Sequence, residues 1–458
     1  MVRGNKRTKY STFGIVVLSA VVLSFFLCFQ QEACAVENPQ QLRAETASVS
    51  SSTVGLKWHV ASGKKIAAYD VYKVSGHKKK LKTVSSATKT YKAKKLKKGK
   101  TYKFRIVASL KDGSKIASNE VSVKTGKAKK TNNIKTITFP KGPIKIGELR
   151  QQRINVGLKS YNGKAPLNKK VTYWSSDKSV AKITKDGLID AVSAGSCTVY
   201  GVAHNGKMAS VRVSVFQGIP VLGYHGVATS WEKQHLCGND RFTITTATFE
   251  KQIKRLHDKG YRSVTCDEFY KWQKGKIELP RKSVLITFDD ARYVAVKNAP
   301  AILRKYGMKS TWFVIGKRTS QSSSEELHRY TATVDDLREM ADKYPETDLE
   351  SHSFGLHEID DKTGKAVIFS KTKADVLKDC DRQTQFAQEL GIKGFSYYAY
   401  PYGFDPVAYR EGVKMSGAKM AFDFGNDRLA TRIDDGWSVP RVGVRTTTSE
   451  ATFNQFVR

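Results

Sequence analysis

The sequence predicts a multidomain chain: two all-β sandwiches followed by an α/β unit curled into a distorted (β/α) barrel. Three observations predict it. The 458 residues are too many for one ordinary core, so several domains are expected. Between residues 38 and 216, short alternating apolar runs recur at about 10-residue spacing with Gly turns, the rhythm of β-sandwiches. From Gly218 onward, strand-like runs alternate with amphipathic helical stretches, which means a parallel sheet wound with helices. Periodicity alone does not separate a barrel from an open sheet, but the number of repeated units favours closure.

The chain opens with a secretory layout. Arg3, Lys6, Arg7 and Lys9 form a positive segment ahead of Phe13–Phe29, a 17-residue apolar stretch at the short limit for spanning a bilayer. Ala33-Cys34-Ala35 fits a cleavage site, so residues 1–35 read as a signal peptide, with an uncleaved anchor as the alternative. Either way the expected location is extracytoplasmic, secreted or attached to the cell envelope. Four cysteines follow the signal (Cys197, Cys237, Cys266, Cys380), with no C-x-x-C spacing, which argues against a zinc–thiolate site.

The first sandwich covers residues 38–126. Val54–Trp58, Ala68–Val74 and Thr101–Ala108 alternate as half-buried strands, with Lys97-Lys98-Gly99-Lys100 as a turn. Trp58, Tyr69, Leu96 and Tyr102 fall where a fibronectin type III domain keeps its core Trp, strand Tyr, pre-turn Leu and corner Tyr, and the segment resembles that family over its whole length. A polar linker, Lys127–Thr131, leads to a second unit at 132–216. There the order Trp174-Ser175-Ser176, Val180-Ala181-Lys182-Ile183, Asp186-Gly187-Leu188 and Gly195 through Val199 is similar to bacterial immunoglobulin-like domains of group 2. Neither unit clusters acids or histidines, so spacing, anchoring or binding is their expected work.

Charge is concentrated in this half. The chain carries a formal +37, and residues 38–130 hold 24 Lys/Arg against 4 Asp/Glu. Such a field favours anionic partners. An export signal points to anionic cell-wall polymers or phospholipid surfaces, and no nucleic-acid-binding motif is present. A lysine-rich face that is merely solvated is the competing reading.

The third unit, 218–458, reads strand by strand. Ile219–Gly223 is followed by helix Thr248–Lys259, strand Tyr261–Val264 and helix Asp267–Lys274. Strand Ser283–Phe288 leads to helix Val296–Tyr306, strand Ser310–Ile315 and helix Val334–Tyr344. Strand Thr347–Glu350, helix Lys373–Leu390, strand Ser396–Tyr400, helix Pro406–Ser416 and strand Lys419–Phe422 complete the series. Gly260, Gly307 and Gly391 stop three of the helices.

The chemistry is concentrated in this unit. The apolar run Ser283–Phe288 ends in Asp289-Asp290, and a buried strand ending in acids delivers them to the mouth of the sheet. Neighbouring strand side chains point to opposite faces, so the two acids serve different roles, one able to bind a metal and one free as a base. About 60 residues on stand His352 and His357. On a straight helix that spacing turns them about 140° apart, so they belong on a strand end and the loop after it. Two histidines and a carboxylate suit Zn²⁺, Co²⁺ or Ni²⁺ and leave room for water.

These motifs carry a resemblance. With Ile219-Pro220-Val221-Leu222-Gly223-Tyr224-His225 at its start, Thr287-Phe288-Asp289-Asp290, His352-Ser353 with His357, and Ala399-Tyr400-Pro401-Tyr402-Gly403, residues 218–458 resemble a polysaccharide deacetylase domain (the NodB-homology group of carbohydrate esterase family 4). The resemblance implies Asp289 as general base, Asp290, His352 and His357 as metal ligands, and the Tyr402 main-chain N–H as a support for the oxyanion. It implies metal-assisted amide hydrolysis, zinc first among the metals. The histidines are five apart rather than the family's common four. That spacing and the Pro-Tyr-Gly segment are shared with deacetylases of biofilm poly-N-acetylglucosamine.

Two family features are missing. No Arg accompanies the third motif at Tyr400, and no Leu-x-His occurs near the C-terminus to act as general acid. Arg441 is a candidate to replace the Arg, although a structural salt bridge is the favoured reading for it. His225 is the candidate acid. The expected protein is therefore a monomeric, exported N-deacetylase of an N-acetylglucosamine polymer, poly-N-acetylglucosamine or peptidoglycan. The alternative is a non-catalytic wall- or glycan-binding protein whose deacetylase domain has degenerated.

Overall fold

The computed structural model describes residues 41–126, 133–166, 168–324, 330–392 and 394–458. The expected signal and the linker Lys127–Thr131 lie outside them. Among the described residues no helix is long and apolar enough to cross a membrane, and Cys197, Cys237, Cys266 and Cys380 are free thiols.

Two all-β units come first. In the leading one, Leu42–Val49, Val54–Val60 and Thr90–Ala93 form one sheet, facing a second built on Ile66–Lys73 and Thr101–Leu110. Trp58, Tyr69 and Phe104 fill the space between them, with the Trp58 and Tyr69 rings 5.4 Å apart. Tyr102 sits at a corner and its hydroxyl accepts from the Lys97 N–H at 2.9 Å. The next unit packs a four-stranded sheet containing Val171–Ser175, Gly195–Ala203 and Met208–Phe216 against a three-stranded one. Val199, Val213 and Ile189 form its core.

The C-terminal unit is the barrel. Its strands are β1 (Val221–Tyr224), β2 (Ser283–Asp289), β3 (Ser310–Val314), β4 (Thr347–Ser351), β5 (Tyr397–Ala399), β6 (Met420–Phe422) and β7 (Val442–Gly443). They lie side by side in the order β6-β5-β4-β3-β2-β1-β7, every pairing parallel. β2 is buried along its whole length, as its unbroken apolar run requires. The short segment Val439–Gly443 touches both edges of the sheet. Val439 pairs with Phe422 of β6, and Val442 with Leu222 of β1. That double contact curls the sheet round on itself.

The helices around it are α1 (Ser230–His235), α2 (Thr246–Asp258), α3 (Cys266–Gln273), α4 (Tyr293–Lys305), α5 (Gly316–Gln321), α6 (Val334–Lys343), α7 (Lys373–Glu389), α8 (Val407–Met415) and α9 (Glu450–Phe456). Capping boxes start four of them, at Thr229/Glu232, Thr265/Glu268, Thr333/Asp336 and Thr372/Asp375. α4 begins at Tyr293, ahead of the expected Val296, because left-handed turns at Asp290 and Ala291 end β2 abruptly and the helix starts at once. α1, α5 and α9 lie outside the sequence expectations. At six or seven residues each they are too short to show a helical apolar period.

The second β-unit is braced against the barrel at the end where strands begin. Arg150 donates from Nη1 and Nη2 to the two carboxylate oxygens of Asp434, at 2.7 and 2.6 Å, and from Nη2 to the Leu429 carbonyl at 2.8 Å. Glu148 accepts from Arg281, two residues ahead of β2, and from the Gly218 N–H. Burial raises the Asp434 carboxyl, but the Arg150 guanidinium and the Thr431 groups outweigh it and hold it below the usual carboxylate range. Arg150→Ala removes the bidentate donor and leaves Asp434 with Arg428 at 3.7 Å and the Thr431 donors, and it is expected to cost about 2 kcal/mol. Scanning calorimetry of the full chain should show the barrel transition lowered near neutral pH. An Asp with a depressed pKa stabilises above its unfolded value of about 3.9 and loses that contribution as pH falls through its folded value. The gap between wild type and variant should therefore narrow below about pH 4.

Candidate active site

Strand ends and the loops after them bring the expected residues to the opposite end of the barrel. Asp289 is the last residue of β2, and Asp290 follows with a left-handed φ of 70°. That backbone twist swings the second carboxylate away from the first. His352 follows β4 directly, and His357 lies in the loop beyond it. Asp379 of α7 pins that loop, accepting from the Phe354 N–H at 2.8 Å and the Gly355 N–H at 2.7 Å.

Asp290, His352 and His357 converge. Nε2 of His352 is 3.6 Å and Nε2 of His357 is 3.5 Å from Asp290 Oδ1. One potential ligand atom from each residue lies within 4.8 Å of the others. Ligands about 2.0–2.2 Å from a tetrahedral ion stand roughly 3.3–3.6 Å apart, so this set fits a divalent cation. Asp290 Oδ1 is buried without a hydrogen-bond partner in the protein, as an oxygen reserved for a cation would be. His352 Nδ1 lies 2.8 Å from the Ala399 carbonyl. A proton on that nitrogen completes the hydrogen bond and leaves Nε2 as the lone pair facing Asp290. Burial pushes His357 down to about 3, which keeps its imidazole neutral as ligation requires. Burial likewise raises Asp290, but His357, His225 and Arg292 hold it far below the carboxylate range.

Asp289 lies apart from this cluster. Its two carboxylate oxygens accept from Arg441 Nη1 at 2.7 Å and Nη2 at 2.8 Å, a bidentate pair with both side chains buried. Burial pushes the Asp289 carboxyl up, and Arg441, aided by His352 and His225, brings it below its ordinary value. Arg441 belongs to the segment that closes the barrel, which is why it meets an acid 152 residues away. Arg441 makes a buried salt bridge, and its partner is the expected base, Asp289.

His225 follows β1, with Nε2 4.0 Å from Asp289 Oδ2. Its ring packs between Phe242 and Phe424, and burial pushes it down to about 4. Tyr402 has a left-handed φ of 59° in the Pro401–Gly403 turn, with its ring 4.3 Å from that of His357. Arg318 of α5 donates to the His357 carbonyl at 2.5 Å.

Sequence reasoning missed several contributors. Arg292 donates from Nε to Asp290 Oδ2 at 3.1 Å and from Nη1 to Thr243 Oγ1 at 3.2 Å, and it also pairs with Asp240. Tyr330 directs its hydroxyl at the same Asp290 oxygen, 3.5 Å away. Phe424 is seated among three glycines. A Cβ at Gly223, Gly403 or Gly443 would lie 2.6, 2.5 or 2.7 Å from it. The ring in turn lies beneath Arg441, 5.1 Å from its guanidinium carbon. None of these carries a local motif. Only the proximity of Arg292 to the acid pair offered a hint.

Comparison with known proteins gives three family matches. The polysaccharide deacetylase family model matches residues 276–421, the fibronectin type III domain 37–124, and the group 2 bacterial Ig-like domain 151–213. The first spans Asp289 to Tyr402 and leaves His225 and Arg441 outside. A poly-beta-1,6-N-acetyl-D-glucosamine N-deacetylase of Staphylococcus aureus is 28% identical over 202 residues, 44% of this chain and 67% of that protein. Its namesake from Staphylococcus epidermidis is 27% identical over 205 residues, 44% of this chain and 68% of that protein. Among solved structures, IcaB from Ammonifex degensii is 26% identical with a TM-score of 0.45, covering 53% of this chain and 97% of that one.

Proposed function

The chain carries a polysaccharide deacetylase domain behind fibronectin type III and bacterial Ig-like domains, and from that premise we propose that it removes acetyl groups from the N-acetylglucosamine units of poly-β-1,6-N-acetylglucosamine, outside the cytoplasm. The observation that carries the reading is the convergence of Asp290, His352 and His357 beside a separate, ionised Asp289. Asp290, His352 and His357 would hold the metal, zinc in the first instance, with cobalt and nickel as alternatives. When bound, such an ion polarises the acetamido carbonyl and acidifies water. The names of the staphylococcal relatives support the exopolysaccharide over peptidoglycan as substrate.

The protein's own groups then divide the work. Asp289 takes a proton from the attacking water. Arg441 keeps that carboxylate charged and aimed until the proton arrives. The Tyr402 N–H donates to the oxyanion that forms on the acetyl carbon. His225 is neutral until it receives a proton. Its Nε2 stands 4.0 Å from Asp289 Oδ2, so the proton removed from water reaches it through one bridging water, and it gives that proton to the departing sugar amine. Acetate and a free glucosamine unit result. Export rests on the residues before position 36, and the lysine-rich first sandwich, with its exposed strand Lys79–Ser85, would hold the enzyme near anionic wall polymers.

Acetate release from β-1,6-linked N-acetylglucosamine oligomers and from peptidoglycan decides the matter. We expect release from the oligomers, lost on chelation and restored by Zn²⁺ or Co²⁺. No release from any glycan under either metal would overturn the reading. Preferential release from peptidoglycan would overturn the substrate but not the reaction.

A further inference from the structure

Beside the candidate site lies a cavity of about 580 Å³, lined by Trp231, Leu236, Asp240, Arg292, Tyr330 and their neighbours. It lies between α1, the loop after it and the start of α4. Its volume is in the range of small-ligand clefts, roughly 300–1,000 Å³. It shares a wall with the proposed catalytic centre. Arg292 lines it and donates to Asp290, and Tyr330 lines it while its hydroxyl stands 3.5 Å from the same carboxylate.

The chemistry of this wall selects a class of occupant. Its acids are already neutralised: Asp240 pairs with Arg292, and Glu232 accepts from Lys297 at 3.0 Å and Asn298 at 2.8 Å. An ion would therefore find no uncompensated charge among these groups. What the cavity offers is aromatic surface. Trp231 is 59% exposed and Tyr330 53%, so each leaves part of its ring open to an occupant of the cavity. Both rings are held in place. Trp231 stacks on His235 at 4.7 Å, and Tyr330 lies 4.8 Å from the Arg292 guanidinium carbon. Fixed aromatic faces above neutral, hydrogen-bonding walls suit a pyranose ring, with apolar C–H faces and hydroxyl edges.

We propose that this cavity is a subsite for a neighbouring N-acetylhexosamine unit of the same glycan chain, stacked on Trp231, while the adjoining unit offers its acetamido group to Asp290 and the two histidines. This rests on the deacetylase reading and extends it, since the enzyme would recognise a stretch of polymer rather than one sugar. Tyr330 and Arg292 form the partition between the two positions, so occupancy of one is felt at the other.

Calorimetric titration of the full chain tests this without turnover. The Asp289→Asn protein is titrated with N-acetylglucosamine and with the β-1,6 tetrasaccharide, with and without Trp231→Ala. We expect Trp231→Ala to weaken tetrasaccharide binding about 5- to 10-fold, a size consistent with one lost aromatic contact. Binding of the monosaccharide should change less than 2-fold, and Trp231→Phe should restore most of the tetrasaccharide affinity. Equal loss for both sugars, or no loss for either, would overturn the subsite. Since binding is read apart from acetate release, a wild-type chain that binds the tetrasaccharide through Trp231 yet releases no acetate would sink the reaction and keep the subsite. A chain that deacetylates with no Trp231 dependence in its binding would do the reverse.

Discussion

Asp289→Asn is expected to cut acetate release by about 10²–10⁴-fold, the usual weight of a positioned general base. Metal content should not change, because Asp290, His352 and His357 are untouched. The substitution has a second effect that must be separated from the first. It leaves the Arg441 guanidinium buried opposite a neutral amide, a situation that costs about 3–5 kcal/mol when a buried pair is broken. The double variant Asp289→Asn/Arg441→Met removes the stranded charge, so it should melt nearer to wild type while remaining inactive. Recovery of activity in the double variant would show that Asp289 served the fold and not the reaction. Arg441→Met alone gives the complementary reading. Without the guanidinium the Asp289 carboxyl titrates higher, so the acid limb of the kcat/KM profile should move to higher pH.

The second large effect belongs to Asp290. Asp290→Ala should lose divalent metal by more than the roughly 10–100-fold typical of an outer-shell partner, read as metal content after dialysis. Acetate release should fall with it and return only in part at high Zn²⁺. The reason lies in the geometry: Asp290 Oδ1, buried without a hydrogen-bond partner, stands 3.5 and 3.6 Å from the two histidine nitrogens and supplies the set's anionic ligand. A variant that retained one tightly held zinc per chain would mean that the histidines find another third ligand, and the proposed centre would be wrong.

Much of this arrangement is legible in the chain because it is local. A fully buried parallel strand shows itself as an unbroken apolar run, and Ser283–Phe288 does so before ending in two acids. The histidines are legible for the same reason, since each lies within a few residues of the end of β4. The fold class follows from alternation that repeats over many elements, so an error of a few residues at α4 does not disturb it. What escapes is long-range. Arg441 reaches Asp289 only because Val439–Gly443 pairs with both sheet edges, and that closure is a property of the whole sheet. Asp379 is one acid among several in α7, distinguished only by the loop above it. Trp231 sits on a helix of six residues, too short to reveal which face it leaves open.

The seat of Phe424 has a bearing on how sequence variants of this chain should be judged. Gly223, Gly403 and Gly443 carry no functional group, yet all three yield space to Phe424, Gly223 and Gly443 to its ring and Gly403 to its Cβ and backbone, and that ring supports the arginine behind the base. Mutational surveys that weigh positions by chemical capability would rank these three as silent. They belong instead with the least tolerant sites, where a single methyl group could disarm the enzyme while every reactive residue remains in the sequence.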